Sequence, residues 1–575
     1  MTTTTEAAVS EGSPSTTGRH SDKPAMSRRE TLEAMSGILL GMFVALLATS
    51  VVSSSLPRIV SELNGSGSSY TWVVTATLLT TTITTPIWGK LADMTNRKLL
   101  IQLALVVAVL SSAAAGLSQN VGELILFRAF QGIGAGGLTA LGTVLIADIV
   151  SPRERGKYMG LMGGVMAISM VGGPILGGVL TDSVGWRWDF FVGLPFAIVA
   201  IAVLQKTLHL PKRSKGDAKI DYWGATLIAA GVALLLVWVT FAGNNYDWLS
   251  WQTFAMVGGS LVLLVAAVLV EKRLGTQAII PMHLFTNRTF VLAVIASIAV
   301  GVAMFGSTVF LSQYIQIAKG RTPTESGLLT IPMVAGMLLS SIVVGNLIAR
   351  TGRYKYFMVT GGALLTVGLL LMSTIDYRTS FVTVGIFLAV LGIGVGMLMQ
   401  NLVLAVQNTL DVHEVGAGTA TVAFFRTLGG TIGVSVLGAV LTTHVTTSLT
   451  EGLAKLGVTT GLSSGGALPE VDKLPGPIRT VVEQAYGDGV AHVFLIAAPL
   501  ALVTVIACLL LKEIPLGTKS GVELLQEEAA GSGELTAAEA EHRAELDTAM
   551  SVVAPVSSEE ATDRPAEQAR TSGQG

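Results

Sequence analysis

The sequence predicts an all-α integral membrane protein of fourteen transmembrane helices, and three observations carry that expectation. The 575 residues are 51% hydrophobic and only 13% charged, where soluble domains run at about 25% charged, and the mean hydropathy is +0.64. Glycine is abundant, at 65 residues, which suits helices that pack closely in lipid. Mostly apolar stretches near the roughly 20 residues a span requires recur fourteen times, at 36–57, 70–89, 99–118, 124–147, 158–180, 189–208, 223–243, 254–270, 289–315, 326–349, 356–374, 380–407, 417–444 and 491–511. This composition excludes an ordinary soluble enzyme, and it excludes a charge-rich disordered chain. A net charge of −2 supplies no basic field for nucleic acid. The single cysteine, Cys508, makes neither an intrachain disulfide nor a cysteine zinc site, and neither a metal nor a cofactor is expected.

Taken in order, residues 1–35 are rich in Thr, Ser, Glu and Pro and are expected to be disordered. The first span begins too far in, and is too long, for a signal peptide. Spans one to six form an N-terminal bundle over 36–209. Two further spans and their linkers occupy 210–288. Spans nine to fourteen form a C-terminal bundle over 289–511, interrupted by a long outer loop at 445–490. The remaining 512–575 read as a solvated acidic tail, with thirteen Asp/Glu against four Lys/Arg from residue 513 on. The loops after even-numbered spans hold 17 Lys/Arg against 5 in the short loops opposite. The positive-inside rule therefore puts both termini in the cytoplasm of a multi-pass cell-membrane protein. Gly89-x-Leu91-Ala92-Asp93-x-x-Asn96-Arg97-Lys98 after span two has a counterpart, Gly345-x-Leu347-Ile348-Ala349-Arg350-x-Gly352-Arg353-x-Lys355, after span ten. A duplicated six-span unit with two helices inserted would place these copies equivalently, and such pseudo-symmetric bundles build many secondary transporters.

Three motifs carry mechanism. In the Gly89–Lys98 loop, Asp93 is expected near the N-terminus of span three, where the helix dipole favours an anion. Arg97 is expected to pair with Asp148 at the inner end of span four, a cluster that forms only when the inner ends are packed together. The same charges would also serve a plain topology loop. In span four, Arg128 shares a face with Gln131 and Ala135; a membrane arginine faces a partner or a cavity, or else snorkels to the interface. Gly132-x-Gly134-x-x-Gly137 is a formal dinucleotide pattern, but no strand precedes it, and its glycines are better read as helix packing. In span five, Gly173-Pro174-x-x-Gly177-Gly178 combines a bend with a close-packing face, as expected of a helix between moving halves. Arg426 in span thirteen is a further intramembrane charge. Gln131, Met166, Met170, Phe305, Gln313, Gln400, Asn401 and Phe424 are candidates to line a substrate cavity, packing roles being the simpler reading of each.

Together these residues resemble the major facilitator superfamily and, within it, the fourteen-spanner drug:proton antiporter family of bacterial multidrug and antibiotic exporters. The resemblance covers about residues 36–511. It rests on the Gly89–Lys98 loop, on Arg128–Gly136, on Gly173–Gly178, and on Trp186-Arg187-Trp188-x-Phe190-Phe191-x-x-x-Pro195. It implies two six-helix bundles and alternating access, with proton-driven export of amphipathic small molecules. The expected partners are a small-molecule substrate, protons and the bilayer, with a monomer as the default. A dedicated exporter of one native metabolite, or a non-transporting sensor or scaffold, are the alternatives. There is one pointed departure. The family often carries an aspartate in the first helix where this chain has Ala48. An arginine releases no proton at reachable pH, so coupling is expected to run through Asp148 or an outer carboxylate such as Glu325, assisted by Arg128. Glu123, Asp182 and Asp189 also lie near outer ends. With no deep anion to pair a cation, neutral, zwitterionic or anionic substrates are favoured.

Overall fold

The computed structural model describes residues 28–65, 67–208, 221–243, 246–321, 323–456, 475–525 and 527–528; among them the regular elements are helical. The N-terminal half comprises α1 (Arg28–Glu62), α2 (Gly67–Met94), α3 (Arg97–Gly116), α4 (Val121–Ile149), α5 (Pro152–Ser183), a short α6 (Trp188–Phe191) and α7 (Gly193–Thr207). The inserted pair is α8 (Tyr222–Phe241) and α9 (Trp251–Leu274). The C-terminal half comprises α10 (Arg288–Gln313), a short α11 (Pro323–Leu329), α12 (Ile331–Thr351), α13 (Lys355–Met372), α14 (Phe381–Gln407), α15 (Val415–Lys455) and α16 (Gly476–Leu510). Side-chain caps start several of these: Asn96 accepts from the Lys98 amide at 3.0 Å, Asn120 from Glu123 at 2.9 Å, and Asp221 from Gly224 at 2.7 Å, each satisfying an otherwise orphaned donor.

Among the described residues, thirteen helical segments are long and apolar enough to cross a membrane. The span expected at 70–89 is α2, which has the length but is threonine-rich. Its threonines turn toward protein. Thr77, Thr80 and Thr81 donate to the carbonyls of Arg128, Ala129 and Gly132 on α4, at 3.1, 2.8 and 3.1 Å. A hydroxyl that finds no water in lipid uses a neighbouring carbonyl instead. Such contact requires α4 to be smooth. Gly132 and Gly136 face the threonines of α2, while Gly134 and Gly137 face Ala104 and Ala108 of α3 or Trp88. The glycines of the formal dinucleotide pattern thus pack two neighbours against two sides of α4.

The halves meet where backbones nearly touch. A Cβ on Gly156 of α5 would lie 2.8 Å from the carbonyl oxygen of Gly345 on α12, and one on Gly160 would lie 2.6 Å from that of Ser341. On the other side, a Cβ on Gly89 of α2 would lie 2.7 Å from the carbonyl oxygen of Gly416 on α15. Two of these glycines, Gly89 and Gly345, open the Gly89–Lys98 loop and its counterpart, so the face carrying those basic loops is closed. The inserted helix α8 covers the α2/α15 seam: Ile228, Val232 and Leu236 pack with Ile83, Ile87, Phe424 and Phe425. The span-five motif itself packs within the N-terminal half. Gly173 abuts Ser50 of α1, and the Ser50 hydroxyl donates to the Ser169 carbonyl at 2.8 Å. The contact with the other half falls earlier in α5, at Gly156–Gly164.

Two boundaries differ from the sequence reading. The loop placed at 445–490 is partly helical: α15 runs 41 residues to Lys455 and α16 starts at Gly476. At 1.5 Å per residue, α15 is about twice the length of the hydrocarbon core. The two extensions lean on each other, with Gly452 against Val481 and Gly489 against Leu441 and Val445. Thr/Gly-rich hydropathy hid these helices, because their partner is each other rather than lipid. The tail placed from 512 onward also begins as packed chain. Gly517 accepts from the Arg153 amide at 3.1 Å, and Glu513 accepts from the Tyr354 amide at 3.1 Å. Asn408 exchanges hydrogen bonds with Ile514, Pro515 and Gly517. Leu516, Ser520 and Val522 are buried. Residues 512–523 therefore tie both halves across the basic-loop face. Residues 1–27 and 529–575 lie outside the described residues.

Replacing Gly345 by Val puts side-chain atoms where the Gly156 carbonyl sits. The expected outcome is separation of α5 and α12 on the basic-loop face, read as a longer spin-label distance by double electron–electron resonance. An unchanged distance would show that this approach does not hold the face closed.

Candidate functional site: a charged latch and two buried arginines

The basic-loop face is held by one buried arginine between two carboxylates. Arg97 opens α3 and is 3% exposed. It donates through Nη2 to Asp93 Oδ1 at 2.8 Å, through Nη1 to Asp148 Oδ1, and through Nε to the Ala92 carbonyl at 2.7 Å. Asp93 does not sit at the N-terminus of α3, where the sequence reading placed it. Its carboxylate crosses to the other half and accepts from the Gly416 and Ala417 amides at 2.9 and 2.7 Å. These amides open α15, so Asp93 caps a helix of the C-terminal half, where exposed N–H groups and the dipole both favour an anion. The reason is positional: Asp93 ends α2, and α2 packs along α15. The tail adds a lid, since Gly521 lies against Asp148.

Arg128 lies far along α4 from this latch. It is 3% exposed, and its Nη1 donates to Gln131 Oε1 at 2.6 Å. No carboxylate pairs with it among the described residues, and Arg128 Nε and Gln131 Nε2 are buried without partners. Gln131 and Ala135 face a small cavity inside the N-terminal half, bounded by Val44, Ala45 and Ala48 of α1, by Ala108, Val109 and Ser112 of α3, and by Gly193 and Leu194 of α7. Ala48 therefore borders the space that Gln131, the partner of Arg128, fronts. Arg426 of α15 repeats the theme: it is 8% exposed, with a buried, unpartnered Nη1 and its carbonyl against Gly301 of α10.

The other candidates divide. Met166 and Gln400 meet across the two halves, with Gln400 Nε2 3.7 Å from the Met166 sulfur. Met170 is half-buried beside them on α5. Asn401 bonds back to the Met397 carbonyl at 2.6 Å. Phe305 packs on Gly430, and Phe424 packs in the cluster shared with α8. Gln313 ends α10, at the far face. Glu325 is half-exposed on α11, 3.3 Å from Arg321. Asp148 pairs with Arg97 and Glu325 with Arg321. Of the span-five glycines, Gly173 and Gly177 face α1, Gly178 has open space beside it, and Pro174 lies within a continuous α5. One charged group at the inserted helices was not singled out in the sequence. Asp221 and Glu271 are 7% and 1% exposed and converge on Gly224. Nothing in the spacing of residues 221 and 271 announces that meeting.

A two-half bundle of membrane-spanning helices, with a latch joining the halves at one face and polar groups at their junction, defines a secondary transporter. The sequence matches the Major Facilitator Superfamily profile over residues 38–434, and the chain belongs to that superfamily. It is 36% identical over 484 residues to an uncharacterized MFS-type transporter of Mycobacterium tuberculosis, covering 84% of this chain and 69% of that one. It is 33% identical over 453 residues to the multidrug transporter protein MdtP of Bacillus subtilis, covering 79% and 80%. The proton:xylose symporter XylE shares the fold, at a TM-score of 0.56 and 15% identity over 86% of this chain and 99% of that one. The human organic anion transporter MFSD10 aligns with a TM-score of 0.55 and 15% identity, over 82% and 99%. The protein is thus a multi-pass membrane transporter and not an enzyme.

Arg97→Ala would strip the cation that Asp93 and Asp148 share. Removing one partner of a buried ion cluster costs about 3–5 kcal/mol, so the thermal unfolding midpoint in detergent should fall well below wild type. Arg97→Lys should recover only part, since one ammonium replaces a planar fork. A midpoint unchanged in Arg97→Ala would rule out the cluster as a holding element.

Proposed function

We propose that the protein exports amphipathic small molecules, drugs or antibiotics among them, by proton antiport through alternating access. The observation that carries this reading is the Asp93–Arg97–Asp148 latch. Its ion pairs lie within the N-terminal half and the Asp93 carboxylate joins it to α15, so this cap forms and breaks as one half rocks against the other. The protein is taken here with its basic-loop face closed, and that face, with both termini, is assigned to the cytoplasm. Similarity to a protein named a multidrug transporter supports export over uptake.

The buried charges bear on substrate. Among the described residues no carboxylate pairs with Arg128 or Arg426, each of which has a buried, unpartnered nitrogen, while Ala48 leaves α1 without its expected anion. Desolvated cations with unused donors favour ligands that bring an acceptor. Substrates with a carboxylate or comparable acceptor are therefore preferred over lipophilic cations.

Purified protein in liposomes with an imposed pH gradient and a trapped pH dye tests both parts. Norfloxacin, a zwitterion, should elicit proton flux, and ethidium, a cation, should elicit little. Absence of flux with every amphipathic antibiotic tried, while labelled drug still exchanges, would replace antiport with facilitation. Ala48→Asp supplies an anion beside Gln131, and the expected result is a shift of preference from norfloxacin toward ethidium. An unchanged ratio would detach the Ala48 cavity from substrate choice.

A further inference from the structure

The far end of the N-terminal half holds a carboxylate that the latch and the buried arginines do not use. Asp189, in the first turn of α6, is 0% exposed. Its Oδ2 accepts from the Thr181 hydroxyl at 2.9 Å, and its Oδ1 is buried with no partner. Thr181 Oγ1 also lies 2.6 Å from Ser55 Oγ, and Ser55 Oγ lies 3.3 Å from the Gly177 carbonyl. Ser55 and Thr181 are 3% and 5% exposed. A buried run thus passes from the carboxyl on α6, through a hydroxyl on α5 and a hydroxyl on α1, back to the α5 carbonyl of the Gly173–Gly178 motif.

The charged neighbours are engaged elsewhere. On α1, Arg58 pairs with Glu62 at 3.1 Å and Asp182 at 3.7 Å, and donates to the Thr181 carbonyl at 3.2 Å. Glu62 takes the Trp186 indole at 2.8 Å; that bond and Arg58 hold its carboxyl below the ordinary range, so it stays ionised. Asp182 is the charged group that the end of α5 offers, and it is exposed. On Asp189's own turn, Arg187 lies over the Trp186 ring and donates to the Ser118 carbonyl at 3.1 Å. The far end of α3 offers no charge.

Counting hydrogens shows what the run lacks. With Asp189 ionised, Thr181 donates to it, and the Ser55 hydroxyl, which also reaches the Asp189 carboxyl, must choose among that carboxyl, Thr181 and Gly177. With one proton added, the carboxyl donates to Thr181, Thr181 to Ser55, and Ser55 to the Gly177 carbonyl, so that every donor has one acceptor in line. We propose that Asp189 is a proton-binding residue, and that its proton reverses this hydroxyl run and so changes how the Gly173–Gly178 end of α5 is fastened to α1. Because α5 also meets α12 at Gly156–Gly164, the same helix carries both the proton-dependent fastening and the contact between halves. This rests on the antiport reading for its purpose, though not for the binding itself.

The test uses the full chain and two readouts. In detergent, the pH-difference infrared spectrum of wild type should show a protonated-carboxyl stretch from a buried acid. Asp189→Asn should lose that band, Asp189→Glu should keep it at a shifted position, and Thr181→Val should move it while leaving the carboxyl in place. In liposomes with norfloxacin, Asp189→Asn should reduce substrate-dependent proton flux to the protein-free level while drug counterflow continues, and Asp189→Glu should restore flux. An Asp189→Asn protein with the wild-type band pattern, or with wild-type proton flux, overturns the proposal. Should Asp189→Asn fail to fold, a Thr181→Val band at the wild-type position overturns it equally. Wild type that shows the band but no proton flux overturns antiport and leaves the proton site standing.

Discussion

The structure turns on one buried guanidinium. Arg97 sits between Asp93 and Asp148, and Asp93 in turn caps α15 across the divide between halves. Two carboxylates this deep need a cation, and two helix-opening amides need an acceptor. The first need is met within the N-terminal half by Arg97; the second is met only when the halves are together at this face, through Asp93. The arrangement couples a charge requirement to a domain arrangement, so one side chain's electrostatics sets which face can open. The tail segment at 512–523 adds to that closure by bonding to both halves and lying over Asp148.

Close approach does the rest. Where α5 meets α12 and α2 meets α15, glycine faces carbonyl, and there is little side-chain volume to give way. Such contacts are all-or-none, which suits rocking between two packed states better than gradual deformation. Within the N-terminal half the same economy of size lets threonine hydroxyls on α2 reach carbonyls on α4. The inserted helix α8 lies along the α2/α15 seam, its apolar side chains filling a joint that would otherwise face lipid.

Much of this was legible from residues alone. The spans could be read because lipid demands about twenty apolar residues whatever the fold, and Arg97 with Asp148 could be read because each motif's place on its helix fixes its end of the membrane. Gly132 and Gly136 of span four could be read as packing because a spacing of four aligns them on one helix face. Other features escaped. Asp93 was read as serving the N-terminus of span three, whereas its carboxylate caps α15, since an anion at a loop suits any N-terminus near it. The span-five motif was read as marking a helix between the halves, and α5 does meet α12, but at Gly156–Gly164, while Gly173 of the motif itself faces α1. The meeting of Asp221 with Glu271 joins residues fifty apart in sequence, and no local pattern records it. The helical extensions of α15 and α16 carried too weak a hydropathy signal because they bury against each other.

By itself, the sequence determined the solvent, the number of spans, the duplicated halves and the residue types that had to find partners, because these follow from local composition and helix periodicity. Only the tertiary structure decided which partner each found: Asp93 on α15, Arg128 on Gln131 instead of a carboxylate, Asp189 on a hydroxyl run. The physical reason is that burial and pairing belong to the distances between helices, and those distances are set by where small residues allow two backbones to touch.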